Sequence, residues 1–598
     1  MTNRVKKICV SATIFACLIS AFLPACIPKD KTIECTVAIV LPEDATSPQP
    51  LVTVNRGDDA TFSISLPEDR RIVFVGYDDY TLGGGETASA GRRYFELTLH
   101  SVRYSEYIEV QSAAALTTQY LPNGGEGDGM TITENPVHLR PVSLNAESAF
   151  ERQGYIQTGW NTAADGTGEH YSFGGRLNHD GDELTLYAEW QKENPAADFG
   201  YEQIAYSDNL MITSCLSDAD EIAVPESIGG KKVVGISDGA FTDREISKLV
   251  LPDSIIRIES GAFDGCNIEK LVMFDNVTDI SSQSFTNCTL STLYLNARQK
   301  PTFSGSYFDT FADKYDRLYA LKDQKKIILT GGSSVRFGFD SMKIERELEG
   351  YSAVNMGVYA YANMRPQLEL ISLCAKEGDI VLHGTEFDAI DEQFCVSDTL
   401  GYEIFAMCES NYDLISLLDL TDYDGIFDSF RQFNDRRKGM IKKSYDISPS
   451  DYDEDGNPSA SPVYNSRGDY VLYRKNNEEM KNFGVKRAYY NKKYFPESAI
   501  SDLNEVLAKL GANGAEVLYA YTPRMNTSLS DDSDRESIIA LDIYLNERLS
   551  VPIISDIESS LYSPLYFFGT DNHLSTEGAE IHTANIIADL KKYLAANA

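Results

Sequence analysis

The chain has 598 residues, more than one hydrophobic core usually serves, and a prior of roughly 150 residues per domain suggests about four units. It carries 53 Lys and Arg against 90 Asp and Glu, a formal charge of -37. That balance argues against a nucleic-acid partner, which needs clustered basic side chains, and suits a solubilised surface outside the cytoplasm.

Residues 1-26 read as a lipoprotein signal peptide. Arg4, Lys6 and Lys7 form a basic head, Ile8 to Phe22 an apolar run, and small residues follow. Leu23-Pro-Ala-Cys26 resembles a bacterial lipobox, which implies that Cys26 is lipidated and tethers the protein to the membrane. A plainly secreted protein and an uncleaved anchor are the competing readings, and all three place the rest of the chain outside the cytoplasm. Beyond Cys26 stand Cys35, Cys215, Cys266, Cys288, Cys374, Cys395 and Cys408. An odd number at wide spacings, with no CxxC pair, points to buried free thiols rather than a disulfide framework or a zinc site.

Residues 27-112 predict a β-sandwich-like module, with period-two alternation in Ala60 to Leu66 and Phe95 to His100 and turns at Gly83-Gly-Gly85. Residues 113-192 carry both tryptophans. The run Phe150-Glu-Arg-Gln-Gly-Tyr-Ile-Gln-Thr-Gly-Trp160-Asn-Thr-Ala-Ala-Asp-Gly-Thr-Gly168 and the closing Leu184 to Trp190 resemble the internalin B-repeat, which implies a small β-grasp-like unit. Trp160 and Trp190 are expected in its core, because so small a sheet has few other large side chains to bury.

Residues 198-305 contain a repeat of period 22, with Phe241, Phe263 and Phe285 closing Ile-x-x-x-x-Phe units and Leu249-Val-Leu, Leu271-Val-Met and Leu293-Tyr-Leu between them. Cys266 and Cys288 keep the same period and are expected as ladder residues. A fixed period with an LxL strand signature marks a leucine-rich solenoid of about three recognisable turns. Its form resembles the BspA-like repeats of bacterial surface antigens. A rigid spacer and a surface for a protein ligand are both open roles.

Residues 315-598 alternate strands and helices, which predicts a parallel sheet covered by helices, with chemistry at the carboxyl ends of the strands. Lys326 to Leu329, Ala353 to Val358, Asp379 to Leu382 and Glu516 to Tyr521 are the strand candidates, and Gln367 to Lys376 and Ser498 to Leu510 are helices. A last helix begins after Ser575, with Ile581, Ile587, Leu590 and Leu594 as its apolar stripe and His582 on its surface. An insertion at about 421-493 is expected to form a lid or a substrate wall. Within it Asp451-Tyr-Asp-Glu-Asp-Gly456 imitates the front of a calcium loop, but Pro462 stands where the bidentate Glu belongs, so an ordinary acidic turn is favoured and no metal is expected.

The same region resembles the SGNH (GDSL-like) hydrolases. Gly332-Ser-Ser334-Val-Arg-Phe-Gly338 matches the first block, Asn355-Met-Gly357 the second, His383-Gly384-Thr-Glu386 the third, and Asp571-Asn-His573-Leu-Ser-Thr-Glu-Gly578 the last. The resemblance implies a three-layer α/β domain in which Ser334 attacks an ester carbonyl, His573 takes its proton, and Asp571 orients the imidazole. The amides of Ser334 and Gly357 would hold the oxyanion. Ser333 as nucleophile shifts the glycine spacing. Glu386 stands where the family has an oxyanion-hole asparagine and cannot donate unless protonated. The family's acid position is Thr570. His383 and Gly384 are candidates for the site wall. The implied function is a surface-anchored serine esterase or acyltransferase, without cofactor, acting on acyl esters, acetyl esters first among them, of an extracellular glycan or wall polymer. The rival from another class is a catalytically degenerate adhesin or glycan-binding lipoprotein.

Overall fold

The computed structural model describes residues 33-597, apart from 135-141, 304-307, 388-393, 441-463, 471-473, 477-486 and several shorter gaps. The segment expected to be a signal peptide, with Cys26, and the calcium-like run with Pro462 lie outside the described residues. The chain divides into two compact units, Met1–Ala113 and Ala114–Ala598.

In the first unit two sheets enclose one core. One sheet runs Leu51–Asn55, Glu34–Val40, Glu106–Ala114, Arg70–Val75, and the other Ala60–Pro67, Arg92–Leu99, Tyr80–Gly84. Alternate residues Phe62, Ile64, Phe95, Leu97 and Leu99 point inward with Val37, Ile39 and Ile108, which is why the period-two pattern was visible.

The second unit begins with a five-stranded sheet in the order His170–Tyr171, Tyr155–Asn161, Glu183–Lys192, Leu116–Leu121, Met130–Glu134. Trp160 is fully buried among Tyr120, Phe150 and Phe173, and its indole N–H donates to the Asn145 carbonyl at 3.1 Å. Trp190 is half-buried and donates to the Pro122 carbonyl at 2.9 Å.

The solenoid stacks two parallel ladders. Glu221–Ala223, Glu245–Val250, Asn267–Phe274 and Thr289–Asn296 form one, so that Leu249, Leu271 and Leu293 sit in register; Ile236, Ile258 and Ile280 align in the other. Phe241, Phe263 and Phe285 stack face to face at 4.9 and 4.7 Å. Cys266 is buried with its thiol on the Phe241 carbonyl, Cys288 is half-buried, and the seven cysteines from Cys35 to Cys408 are free thiols.

The solenoid is covered on two sides by its own chain. Ile156 of the preceding sheet packs on Ala223, Val250, Val272 and Tyr294, and Asn296 Nδ2 donates to the Thr158 carbonyl at 3.2 Å. At its last turn Phe285 stacks on Phe427 at 3.4 Å, and Arg437 pairs with Asp275 at 3.0 Å. Phe427 and Arg437 belong to the helix Ile426–Met440, inside the segment expected to form a lid. This part of the insertion is a solenoid cap, because the exposed apolar edge of a last repeat needs a cover. Arg176 also reaches Asp313 and Asp316 of the helix Thr310–Ala320, at 2.7 and 2.6 Å. Residues 114-597 are thus cross-packed, not a string of separate modules.

The carboxyl-terminal region is a four-stranded parallel sheet in the order Ser352–Asn355, Lys326–Gly331, Ile380–Gly384, Glu516–Tyr519. Ile328, Val354, Val381 and Val517 face the helices Thr310–Ala320, Met364–Ser372, Glu497–Leu510 and Arg535–Arg548. Ile327, Leu329, Ile380, Leu382 and Leu518 face Ser341–Glu347 and Thr576–Ala596. Ser575 caps the last helix by accepting the Gly578 N–H at 3.1 Å. Its inward stripe is Ala579, His582, Thr583, Ile586, Ile587 and Leu590, whereas Ile581 is 38% exposed. The expected placement of His582 on the surface is therefore corrected: steps of three and four from Leu590 reach residue 582, and residue 581 falls off that face.

Candidate active site

The strand Lys326–Gly331 runs into paired glycines because its neighbours crowd its carboxyl end. A Cβ on Gly331, at φ 155°, would lie 2.3 Å from the Gly384 carbonyl oxygen, and one on Gly332 would lie 2.6 Å from Ala360. The chain then makes a single helical turn, Ser333–Arg336. His573 Nε2 lies 2.8 Å from Ser333 Oγ. Ser334 is wholly buried, and its Oγ has no hydrogen-bonding partner among the described residues. Of the two neighbouring hydroxyls it is thus that of Ser333, and not that of the expected Ser334, that meets His573. One residue on a helical turn is about 100° of rotation, which carries Ser334 inward. Gly338, which sets the glycine spacing of the first block, serves the closure of the turn; a Cβ there would lie 2.4 Å from the Ser334 carbonyl oxygen.

His573 sits on a loop closed by the Phe568 N–H on its carbonyl at 2.8 Å. Its own N–H donates to Thr570 Oγ1 at 3.0 Å, and its ring lies 4.5 Å from that of Phe337. Thr570, at the family's acid position, is therefore a loop-closing residue. The buried Asp571 carboxylate faces the Arg524 guanidinium at 3.9 Å.

The two expected oxyanion amides are both engaged. The Gly357 N–H donates to Asn355 Oδ1 at 3.0 Å, and a Cβ on Gly357 would lie 2.4 Å from the Arg336 nitrogen. Gly357 is a packing contact under the serine turn, and its assignment as an oxyanion donor is corrected accordingly. The Ser334 N–H donates to Glu386 Oε1 at 2.5 Å, while Asn572 Nδ2 donates to Glu386 Oε2 at 2.8 Å. Glu386 therefore lies in the site, with its carboxylate beside Ser333.

His383 is fully buried, with Nδ1 2.9 Å from Thr330 Oγ1; His582 Nδ1 lies 3.1 Å from the Tyr562 hydroxyl. Both line, with Val335, Phe339, Gly384 and Thr522, a small separate pocket. Burial pushes both imidazoles down to about 4, so they are neutral at pH 7. Ser333 and His573 do not line that pocket, whereas His383 and Gly384 are among its walls. Among the described residues no cluster of three or more His, Cys, Asp or Glu is placed to hold a metal.

Three supporting residues had no local signal in the sequence. The buried Arg474 guanidinium donates to the carbonyls of Leu574, Tyr470 and Phe337 at 2.9, 2.8 and 3.2 Å, which ties the histidine loop to the serine turn. Asp469 accepts from the Ser341 N–H and from Asn355 Nδ2 at 2.7 and 3.0 Å, and Asn355 Nδ2 also donates to the Val335 carbonyl at 3.1 Å. Lys314 Nζ donates to the Gly357 carbonyl at 2.5 Å; burial, reinforced by Arg336, holds this amine well below the usual lysine range. Asn572 is different, since its place beside the histidine could have flagged it.

Residues 234–312 match the BspA type leucine rich repeat region, in six copies. The repeats expected from the period of 22 are leucine-rich repeats of this type. A "Putative Gly-rich membrane protein" of Evansella cellulosilytica is 25% identical over 118 residues, which is 20% of this chain and only 14% of that protein's length. The T. pallidum leucine-rich repeat protein, solved as a crystal structure, is 20% identical over 23% of this chain and 61% of its own, with a TM-score of 0.16, too low to argue from.

Proposed function

We propose that the carboxyl-terminal domain is an SGNH-like serine esterase or acyltransferase in which Ser333 is the nucleophile and His573 the base. The observation that carries this reading is the 2.8 Å contact of Ser333 Oγ with His573 Nε2 at the carboxyl edge of a parallel sheet. A serine hydroxyl becomes a useful nucleophile when such a base accepts its proton. The substrates proposed are acyl esters, acetyl esters first among them, on extracellular or cell-surface glycans, with the protein tethered to the membrane through Cys26. The amino-terminal sheets and the repeats hold this domain at the surface, and a protein ligand for the repeats is compatible with their type. The resemblance of residues 113-192 to the internalin B-repeat belongs to this reading as well.

The Glu386 carboxylate beside Ser333 favours a second reading, a glycan-binding adhesin that keeps the fold without turnover. Hydrolysis of p-nitrophenyl acetate by the chain from Ile27 onward separates the two. The esterase reading expects release of nitrophenolate that Ser333→Ala abolishes and that Ser334→Ala lowers far less. Equal rates in wild type and Ser333→Ala overturn it.

A further inference from the structure

We infer that the Ser334 N–H and the Asn572 carboxamide form the anion hole of this site and that the Glu386 carboxylate is its resident occupant; this rests on the serine-hydrolase reading above. The two oxygens of Glu386 bridge donors on different loops, Oε1 taking the Ser334 N–H at 2.5 Å and Oε2 taking Asn572 Nδ2 at 2.8 Å. Oε1 also lies 3.4 Å from Ser333 Oγ, the atom that His573 holds. A planar O–C–O group therefore rests beside the nucleophile, with the shape and charge of the acid that ester hydrolysis would release. Gly332 makes this approach possible, since a Cβ there would lie 2.9 Å from Oε1. An asparagine at position 386 would bring a donor. Glutamate brings an acceptor, so the donor comes from the opposite loop, next to the base.

Asn572 is then a catalytic residue, and Glu386 must turn away before an ester carbonyl can enter. Ser333 Oγ adds to the carbonyl carbon while its proton passes to His573 Nε2, and the carbonyl π pair moves onto oxygen, where the Ser334 N–H and Asn572 Nδ2 receive it. Return of that pair expels the alkoxide, which takes the proton from His573. Water repeats the sequence on the acyl-serine and releases the acid.

The test removes the occupant and offers a free one. Thermal unfolding of Glu386→Ala is followed in sodium acetate and in sodium chloride of equal ionic strength. The expected result is a saturable acetate-specific rise in Tm that wild type lacks and that Asn572→Ala, made in the same background, abolishes. No acetate-specific rise, or an equal one in wild type, overturns the assignment. If Glu386→Ala accumulates poorly, acetate-dependent recovery of soluble protein is the measurement, and its absence has the same meaning. In turnover of p-nitrophenyl acetate, Glu386→Ala is expected to be faster than wild type by about 10-fold or more, because a preformed donor pair is uncovered. A fall to the level of Ser333→Ala would give Glu386 a productive role and sink the proposal. Acetate rescue without turnover in any variant would instead retain the anion hole and remove the hydrolase reading.

Discussion

The two ends of the strand Lys326–Gly331 bury carboxylates to opposite purposes. At the amino end Asp379 is fully enclosed and holds Lys326 Nζ at 2.6 Å, the Lys326 N–H at 3.0 Å and the Lys376 N–H at 3.1 Å. At the carboxyl end Glu386 lies beside Ser333 and takes the Ser334 N–H at 2.5 Å and Asn572 Nδ2 at 2.8 Å. One carboxylate closes an ion pair, whereas the other bridges a backbone N–H and a carboxamide on two different loops. Buried charge is thus informative only with its partners named, since removing one member of a closed pair leaves the other uncompensated.

The comparison is sharpened first at the carboxyl end. Ser333→Ala should lower ester turnover by about 1000-fold or more without shifting Tm, as loss of a nucleophile does, and an unaffected rate would break the contrast between the ends. At the amino end Asp379→Ala should cost about 4 kcal/mol in urea unfolding, the scale of a broken buried pair, and a loss below about 1 kcal/mol would show that Lys326 finds other partners. Between them, the neutral histidines give the fold a pH dependence. Folding lowers His383 and His582 from 6.5 to about 4, so the unfolded chain binds the extra protons and stability falls as the pH drops through that window. The slope should be up to about 1.4 kcal/mol per pH unit for each group, and His582→Gln should remove one share of it. The smallest effect expected is that of Arg474→Lys, which keeps an N–H donor but cannot reach the three carbonyls of Leu574, Tyr470 and Phe337 at once. It should lower kcat by about 10-fold with KM and the nucleophile's identity unchanged, the signature of a positioning residue.

The solenoid and the sheet were legible because their signals are redundant. Phe241, Phe263 and Phe285 state the same register three times, and a misreading of any one would be corrected by the others. The serine turn is stated once. Gly332, Ser333, Ser334 and Gly338 allow two alignments, and the choice depends on His573, 240 residues away in sequence. The cap helix and Arg474 were hidden for a related reason: they lie in a segment whose composition suggests a loop, and their partners are the solenoid edge and the loops of Ser333 and His573, which no local pattern connects.

The closure of the last repeat by Phe427 has a consequence for how the polypeptide matures. Synthesis runs from the amino terminus, so Phe285 emerges and stacks on Phe263 long before residue 427 exists. For that interval the growing array ends in the open ring face of Phe285, an unshielded apolar edge that a second nascent chain could join. Completion of the carboxyl-terminal domain is what removes this risk, so a truncation before Ile426 should yield associating species rather than a smaller folded protein.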